Sequence, residues 1–281
     1  MSDKLDLVEA EKEAERVVAS HPFTQLPVCP FAIAEKAGIV VQAKRSSEPG
    51  VSGFLMRVGD TFGIQYATHI ANDGFIRFTV AHELGHYFLP GHPAKLFPNG
   101  DGIHPSRSGF ISGDPLERQA DYFASALLMP ERLFKSALRR SGLGFTAIKK
   151  LVETCNTSVT ATAIRYAKFA DDPVAIVVSS GSQIDYCFMS PSIQNMRGLQ
   201  WIRKGEPLPP RSTTAVFNKD SSNVLEMRSR DGTSYLDDWF DGAPQFEMSE
   251  DVIGLGSYGK TLTVLFTEEA FDEEEDEDEE F

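Results

Sequence analysis

Cysteine is scarce in this chain: Cys29, Cys155 and Cys187 are odd in number, widely spaced and in no C-x-x-C pair. That excludes a disulfide framework and a thiolate zinc knuckle, and a reducing, cytoplasmic setting is the simplest expectation. No uninterrupted apolar run approaches the roughly 18 residues that cross a bilayer, so no membrane partner is expected. Residues 1–20 alternate acids and bases without the apolar stretch of roughly 7–15 residues that a secretory signal needs. A basic excess is missing as well. The formal charge is -14, but residues 268–280 hold 11 acids and no base, and the remaining 30 acids against 27 Lys and Arg leave -3. A nearly neutral body argues against a whole-surface grip on nucleic acid.

At 281 residues, the roughly 150 residues of an average domain suggest about two. Apolar residues at Leu7, Ala10, Ala14, Val17 and Val18 make one helical stripe. Residues 30–41 read as a short helix running into a strand, and residues 54–66 as a hairpin around Gly59-Asp60. A helix over residues 75–89 buries Phe78, Ala81, Leu84, Gly85 and Phe88 and stops at Pro90-Gly91. Residues 91–113 have no period and read as a long loop. Asp114-Pro115 opens another helix with an N-cap and a first-position proline. Two or three shorter helices follow to Phe169, broken at Ser141-Gly142 and near Asn156-Thr157. Strand-like runs at 174–178, 184–189, 215–218 and 262–266 suggest a second, sheet-containing domain. From Thr267 the chain is low-complexity acid, and disorder is expected.

His82-Glu83-Leu84-Gly85-His86 is an H-E-x-x-H pattern inside a segment already assigned to helix. Chance supplies about 0.02 such patterns at this histidine and acid content. Four residues are just over one helical turn, so His82 and His86 share a face and can meet one metal ion, while Glu83 can reach a water beside it. A catalytic zinc site wants a third protein ligand. His92 stands ten residues after His82, but the glycine that would turn the chain back is replaced by Leu89, and a loop role is favoured. Glu117 is the preferred ligand, with Asp121 one turn on to hold a ligating histidine by its other ring nitrogen. A capping box from Asp114 to Glu117 is the competing use of that carboxylate.

The run Arg77-Phe78-Thr79-Val80-Ala81-His82-Glu83-Leu84-Gly85-His86, followed by Glu117-Arg118-Gln119-Ala120-Asp121 and the helix up to Met129-Pro130, resembles the ImmA/IrrE family of metallopeptidases over roughly residues 5–170. The resemblance implies an α+β fold with a zincin-like core. His82, His86 and Glu117 would bind the metal and Glu83 would be the catalytic acid/base. It also implies a protein substrate, a helix-turn-helix repressor whose cleavage frees stress-response or mobile-element genes. Carried along the chain, the expected organisation is a metallopeptidase domain at 1–135, a helical, helix-turn-helix-like segment at 136–170, a GAF-like sensory domain at 171–266 and the acidic tail at 267–281. Zinc is the expected ion, although such ligands also accept manganese or iron.

The expected chemistry is metal-assisted peptide hydrolysis, in which zinc acidifies water and Glu83 takes its proton and returns it to the leaving amine. Tyr87, His92, His104 and Arg77 are chemically suited to stabilise an oxyanion, and nothing in the sequence chooses among them. Two rivals follow. One is a DNA-binding regulator using residues 146–169, where Lys149, Lys150, Arg165 and Lys168 oppose Glu153; a solvated basic face is the favoured reading of those charges. The other is a pseudo-enzyme that binds without cutting, against which every expected ligand type is present. The acidic tail is read as a solubilising appendage, with competition for a basic partner surface as the sharper alternative.

Overall fold

The computed structural model describes residues 2–44, 50–68, 72–106 and 113–269. The chain divides into two compact units, Met1–Ser141 with Lys149–Thr162 and Gly142–Ile148 with Ala163–Phe281. Both mix helices and sheet, so the α+β expectation holds.

In the first unit α1 (Ser2–Ala19) and α2 (Pro30–Lys36) precede a sheet of β1 (Val40–Lys44), β2 (Gly53–Val58) and β3 (Thr61–Ala67). The β2–β3 pair is the expected hairpin, and Gly59 takes the left-handed conformation its turn requires, with φ at +59°. Then comes α3 (Asp73–Phe88), whose N-cap Asn72 accepts a hydrogen bond from the Phe75 N–H at 3.0 Å. Every residue from Phe78 to His86 is buried. One apolar stripe was the expectation; the helix instead has the sheet and other helices packed around it, and its polar residues are enclosed with the rest.

The 91–113 stretch is not a plain loop. It holds α4 (His92–Leu96) and β4 (Gly102–Ser106), while residues 107–112 lie outside the described residues. Gly91, with φ at +83°, makes the turn into α4. In β4, Pro105 and Gly102 break the composition that marks a strand, and it forms because β2 pairs with it antiparallel, Leu55 opposite His104. The finished sheet has the order β1-β3-β2-β4, with β1 parallel to β3. Next, α5 (Pro115–Leu128) starts at Asp114, whose side chain accepts from the Leu116 N–H at 2.8 Å. It packs against both α1 and α3. Three helices follow, α6 (Glu131–Leu138), α7 (Gly144–Cys155) and α8 (Val159–Phe169), broken where the sequence places the breaks. Arg165 on α8, counted among the basic residues, is only 3% exposed and stacks its guanidinium over the Phe169 ring at 4.6 Å.

The second unit carries β5 (Val174–Ser180), β6 (Gln183–Met189), α9 (Pro191–Gln194), α10 (Thr213–Phe217), α11 (Ser221–Leu225), β7 (Ser229–Tyr235), α12 (Leu236–Trp239), β8 (Glu247–Gly254) and β9 (Thr261–Phe266). Its five strands are antiparallel in the order β6-β5-β9-β8-β7. The core includes Val177, Leu236, Trp239, Phe240 and Leu265. The 215–218 run is helical rather than extended. Ser212 caps it, accepting from the Ala215 N–H at 3.1 Å, and the buried Glu250 carboxylate of β8 accepts from the Thr213 and Thr214 N–H groups at 3.0 and 2.7 Å. Two strands went unread, because β7 is a polar edge and β8 alternates buried Met248, Glu250 and Val252 with half-buried Ser249, Asp251 and Ile253. Of the acidic tail at 267–281, for which disorder is expected, residues 270–281 lie outside the described residues.

The first unit depends on the approach of α3 to α5. A Cβ at Gly85 would stand 3.1 Å from the Ala120 Cα and 3.2 Å from its carbonyl oxygen, backbone atoms that cannot swing aside. Replacing a helical glycine ordinarily gains stability; here Gly85→Val is expected to lose about 1–3 kcal/mol through overpacking. Denaturant unfolding measures it, and an undiminished midpoint would mean that the two helices separate at no cost.

Candidate metal centre

Three ligand-type side chains converge between α3 and α5: His82, His86 and Glu117. The His82 and His86 Nε2 atoms are 3.1 Å apart. Glu117 Oε2 lies 3.4 Å from His82 Nε2, and Oε1 lies 3.2 Å from His86 Nε2. Zinc–nitrogen and zinc–oxygen bonds of about 2.0–2.2 Å in a tetrahedron imply ligand separations of about 3.3–3.5 Å. The triangle therefore has the dimensions of a tetrahedral face, and these residues can hold a divalent cation. Glu117 turns its carboxylate to the imidazoles, so Asp114 caps α5 with its own side chain and Glu117 is spent elsewhere.

The electrostatics show how tightly the groups are coupled. Burial would lower His82, but the Asp121 and Glu117 carboxylates outweigh it and push its pKa up to about 10. His86 moves the other way, down to about 3, because it is buried and sits beside the His82 cation. Burial would raise Glu117, yet hydrogen bonds from His104 and His82, with the charge of His82, hold it well below the carboxylate range. A cation entering here displaces the His82 proton.

Asp121 Oδ1 meets His82 Nδ1 at 2.8 Å. Glu83 is wholly buried, and neither of its carboxylate oxygens has a hydrogen-bond partner among the described residues. Desolvation pushes its pKa up to about 7, against the pull of the His82 cation. Gly53 on β2 makes the room: a Cβ there would lie 2.6 Å from Glu83 Oε1. A buried carboxylate whose pKa is raised toward neutrality can both take and return a proton.

The structure separates the four side chains left open above. Arg77 is structural, its guanidinium donating to the Val28 carbonyl and, at 3.2 Å, to the Asn156 carbonyl. Tyr87 packs edge-on against Phe62 with ring centroids 5.0 Å apart. His104 on β4 joins the cluster, Nε2 donating to Glu117 Oε1 at 3.0 Å. His92 is not a loop residue: it begins α4, is 2% exposed and lies against His86, with the two Nδ1 atoms 3.1 Å apart. The H-E-x-x-H spacing contains no trace of His104, whose position is set by strand pairing.

Residues 34–165 match the IrrE N-terminal-like domain of the peptidase M78 family. Within the chain, 101 residues are 32% identical to the radiation response metalloprotease IrrE of Deinococcus radiodurans. That match covers 36% of this chain and 29% of the relative, so the chain spans under a third of that protein's length. Among solved structures, a Mycobacterium tuberculosis transcriptional regulator aligns with a TM-score of 0.59 over 92% of this chain and 76% of its own, at 14% identity, a likeness of fold.

Asp121 gives the most direct test of the centre without reference to any reaction. Asp121→Ala is expected to weaken zinc binding about 10–100-fold, because His82 loses the acceptor that orients it. Competition against a chromogenic chelator reads the change; unaltered affinity would detach Asp121 from the centre.

Proposed function

We propose that this protein, whose residues 34–165 match the IrrE N-terminal-like domain of the peptidase M78 family, is a metal-dependent endopeptidase of the ImmA/IrrE family that cleaves a helix-turn-helix transcriptional repressor and so switches on stress-response or mobile-element genes. The observation that carries the peptidase reading is the pairing of a three-ligand triangle with a buried carboxylate one residue along the same helix. His82, His86 and Glu117 would hold the ion, zinc in this proposal, with manganese or iron compatible with the same donors. Bound there, it supplies Lewis acidity toward the scissile carbonyl and toward water.

The remaining work falls to the chain. Glu83 accepts the proton of the attacking water and hands it to the leaving nitrogen, the task for which its raised pKa suits it. Asp121 holds His82, and His104 holds Glu117 by donating to Oε1. The helix-turn-helix-like segment at 136–170, and a GAF-like sensory role for 171–266, are part of the same proposal; the antiparallel sheet of the second unit is compatible with the latter. A cytoplasmic site of action is part of the same proposal; no helix among the described residues is long and apolar enough to cross a membrane. The rival DNA-binding use of 146–169 loses one of its four cations, because Arg165 is buried against Phe169.

The test incubates the purified protein and zinc with a helix-turn-helix repressor, one encoded beside this gene being the first choice if there is one. Cleavage should stop on chelation and return on adding zinc. Glu83→Gln should keep one equivalent of zinc and lose about 10²–10⁴-fold in cleavage rate, whereas His82→Ala or Glu117→Ala should lose the metal as well. A Glu83→Gln protein that cuts at the parental rate would refute the assignment of the base.

A further inference from the structure

The two histidines that face the candidate ion are supported differently. His82 Nδ1 meets a carboxylate, Asp121. His86 Nδ1 meets another imidazole, His92 Nδ1 at 3.1 Å, whose Nε2 lies 2.8 Å from Gln119 Oε1. Both His86 and His92 are buried, at 0% and 2% exposed.

We propose that His92 and Gln119 form a neutral positioning relay that fixes the tautomer and ring orientation of His86. The proton placement follows from both ends. The amide oxygen of Gln119 only accepts, so the His92 Nε2 atom carries the hydrogen and donates it. A neutral His92 then has a bare Nδ1 lone pair. That lone pair accepts the His86 Nδ1–H, which leaves His86 Nε2 bare and directed at His82 Nε2 and Glu117. From the other end, a ligating Nε2 must be unprotonated, which again puts the hydrogen of a neutral His86 on Nδ1. The chain of bonds closes without adding a charge.

The fold places His92 for this role. Leu89 leaves the helix with an extended backbone and Gly91 turns with φ at +83°. His92 therefore begins α4, held by a bond from its N–H to the Leu89 carbonyl at 3.2 Å, behind His86 rather than at the open side of the ion site. Its ten-residue distance from His82 imitates that of a third ligand, yet the third corner belongs to Glu117. A neutral partner also raises ligand basicity less than a carboxylate does, so one charged and one neutral support leave the cation a stronger Lewis acid than two carboxylates would.

This inference rests on the metal-centre reading, and its test separates the two. His92→Phe keeps a ring but removes the acceptor; His92→Asn places an amide oxygen near the position of Nδ1 and should restore it. Zinc affinity by chelator competition is expected to fall about 10–100-fold in the Phe variant and to stay within about threefold of the parent in the Asn variant. Nitrogen-15 histidine spectra of the metal-free proteins should show His86 as the Nδ1–H tautomer in the parent and the Asn variant, and as a mixture in the Phe variant. If His92→Phe unfolds, Gln119→Leu, at a half-buried position, removes the far acceptor and is expected to cost roughly 3–10-fold in affinity.

Parental affinity and an unchanged His86 tautomer in His92→Phe, or in Gln119→Leu where that variant stands in, would overturn the relay. So would an Asn variant as weak as Phe, since the loss would then be one of packing. A parent protein that binds no zinc would instead bring down the metal-centre reading, while the His86 spectra still decide the relay.

Discussion

The candidate centre exists because α3 and α5 touch at backbone distance. Gly85 faces Ala120 with no room for a Cβ, and that closeness lets a carboxylate at the start of one helix reach two imidazoles on the other. The donor atoms are 3.1–3.4 Å apart, so a displacement of one helix by a single methyl width would leave the triangle open. Apolar packing sets this spacing. Ala120, Phe123, Ala124 and Leu127 on α5 are fully buried, and α1 covers α5 from another side. The chemistry is thus held by rigid elements rather than by loops, which favours preorganisation.

Four ionisable groups are wholly enclosed here, namely His82, Glu83, His86 and Asp121, with Glu117 nearly so. Burying charge without compensation costs several kcal/mol per ion, so the groups must neutralise one another or be neutralised. The pKa directions show them doing so incompletely: His82 holds a proton, His86 gives its proton up, and Glu83 is left near neutrality without a partner among the described residues. Three carboxylates around one imidazolium leave negative charge over. A divalent cation would balance most of it, which gives a physical reason why such a cluster persists in an otherwise apolar helix pair.

What the sequence revealed was local. A 3.6-residue period places His82, His86 and Glu83 on one helix, and the same arithmetic pairs Glu117 with Asp121. Asp114-Pro115 announces the start of α5, since a cap and a first-position proline act within four residues. Features that depend on distant partners stayed hidden. Strand β4 needs β2 beside it, and without β4 there is no reason to bring His104 to Glu117. Helix α10 needs Glu250, which lies 36 residues from Thr214 and on another strand. Arg165 reads as a surface cation until Phe169 is seen beneath it. Composition and period carry no record of such pairings.

His92 shows how a correct spacing can support a wrong inference. Ten residues from the first histidine of an H-E-x-x-H helix is the reach of a third ligand, provided that the chain reverses sharply enough to return to the ion. Here α3 runs on through Phe88 before Leu89-Pro90-Gly91 turns, and the extra length carries the imidazole past the ion site to the back of His86. With that corner vacant, the third donor among the described residues is a carboxylate projected from a second helix, and Glu117 arrives already held by His104. Moving the third donor from a turn onto a helix also releases the turn histidine for support. The same residue type, displaced by one part of a turn, changes from a ligand to the group that aims a ligand, and the difference lies in one missing glycine at Leu89.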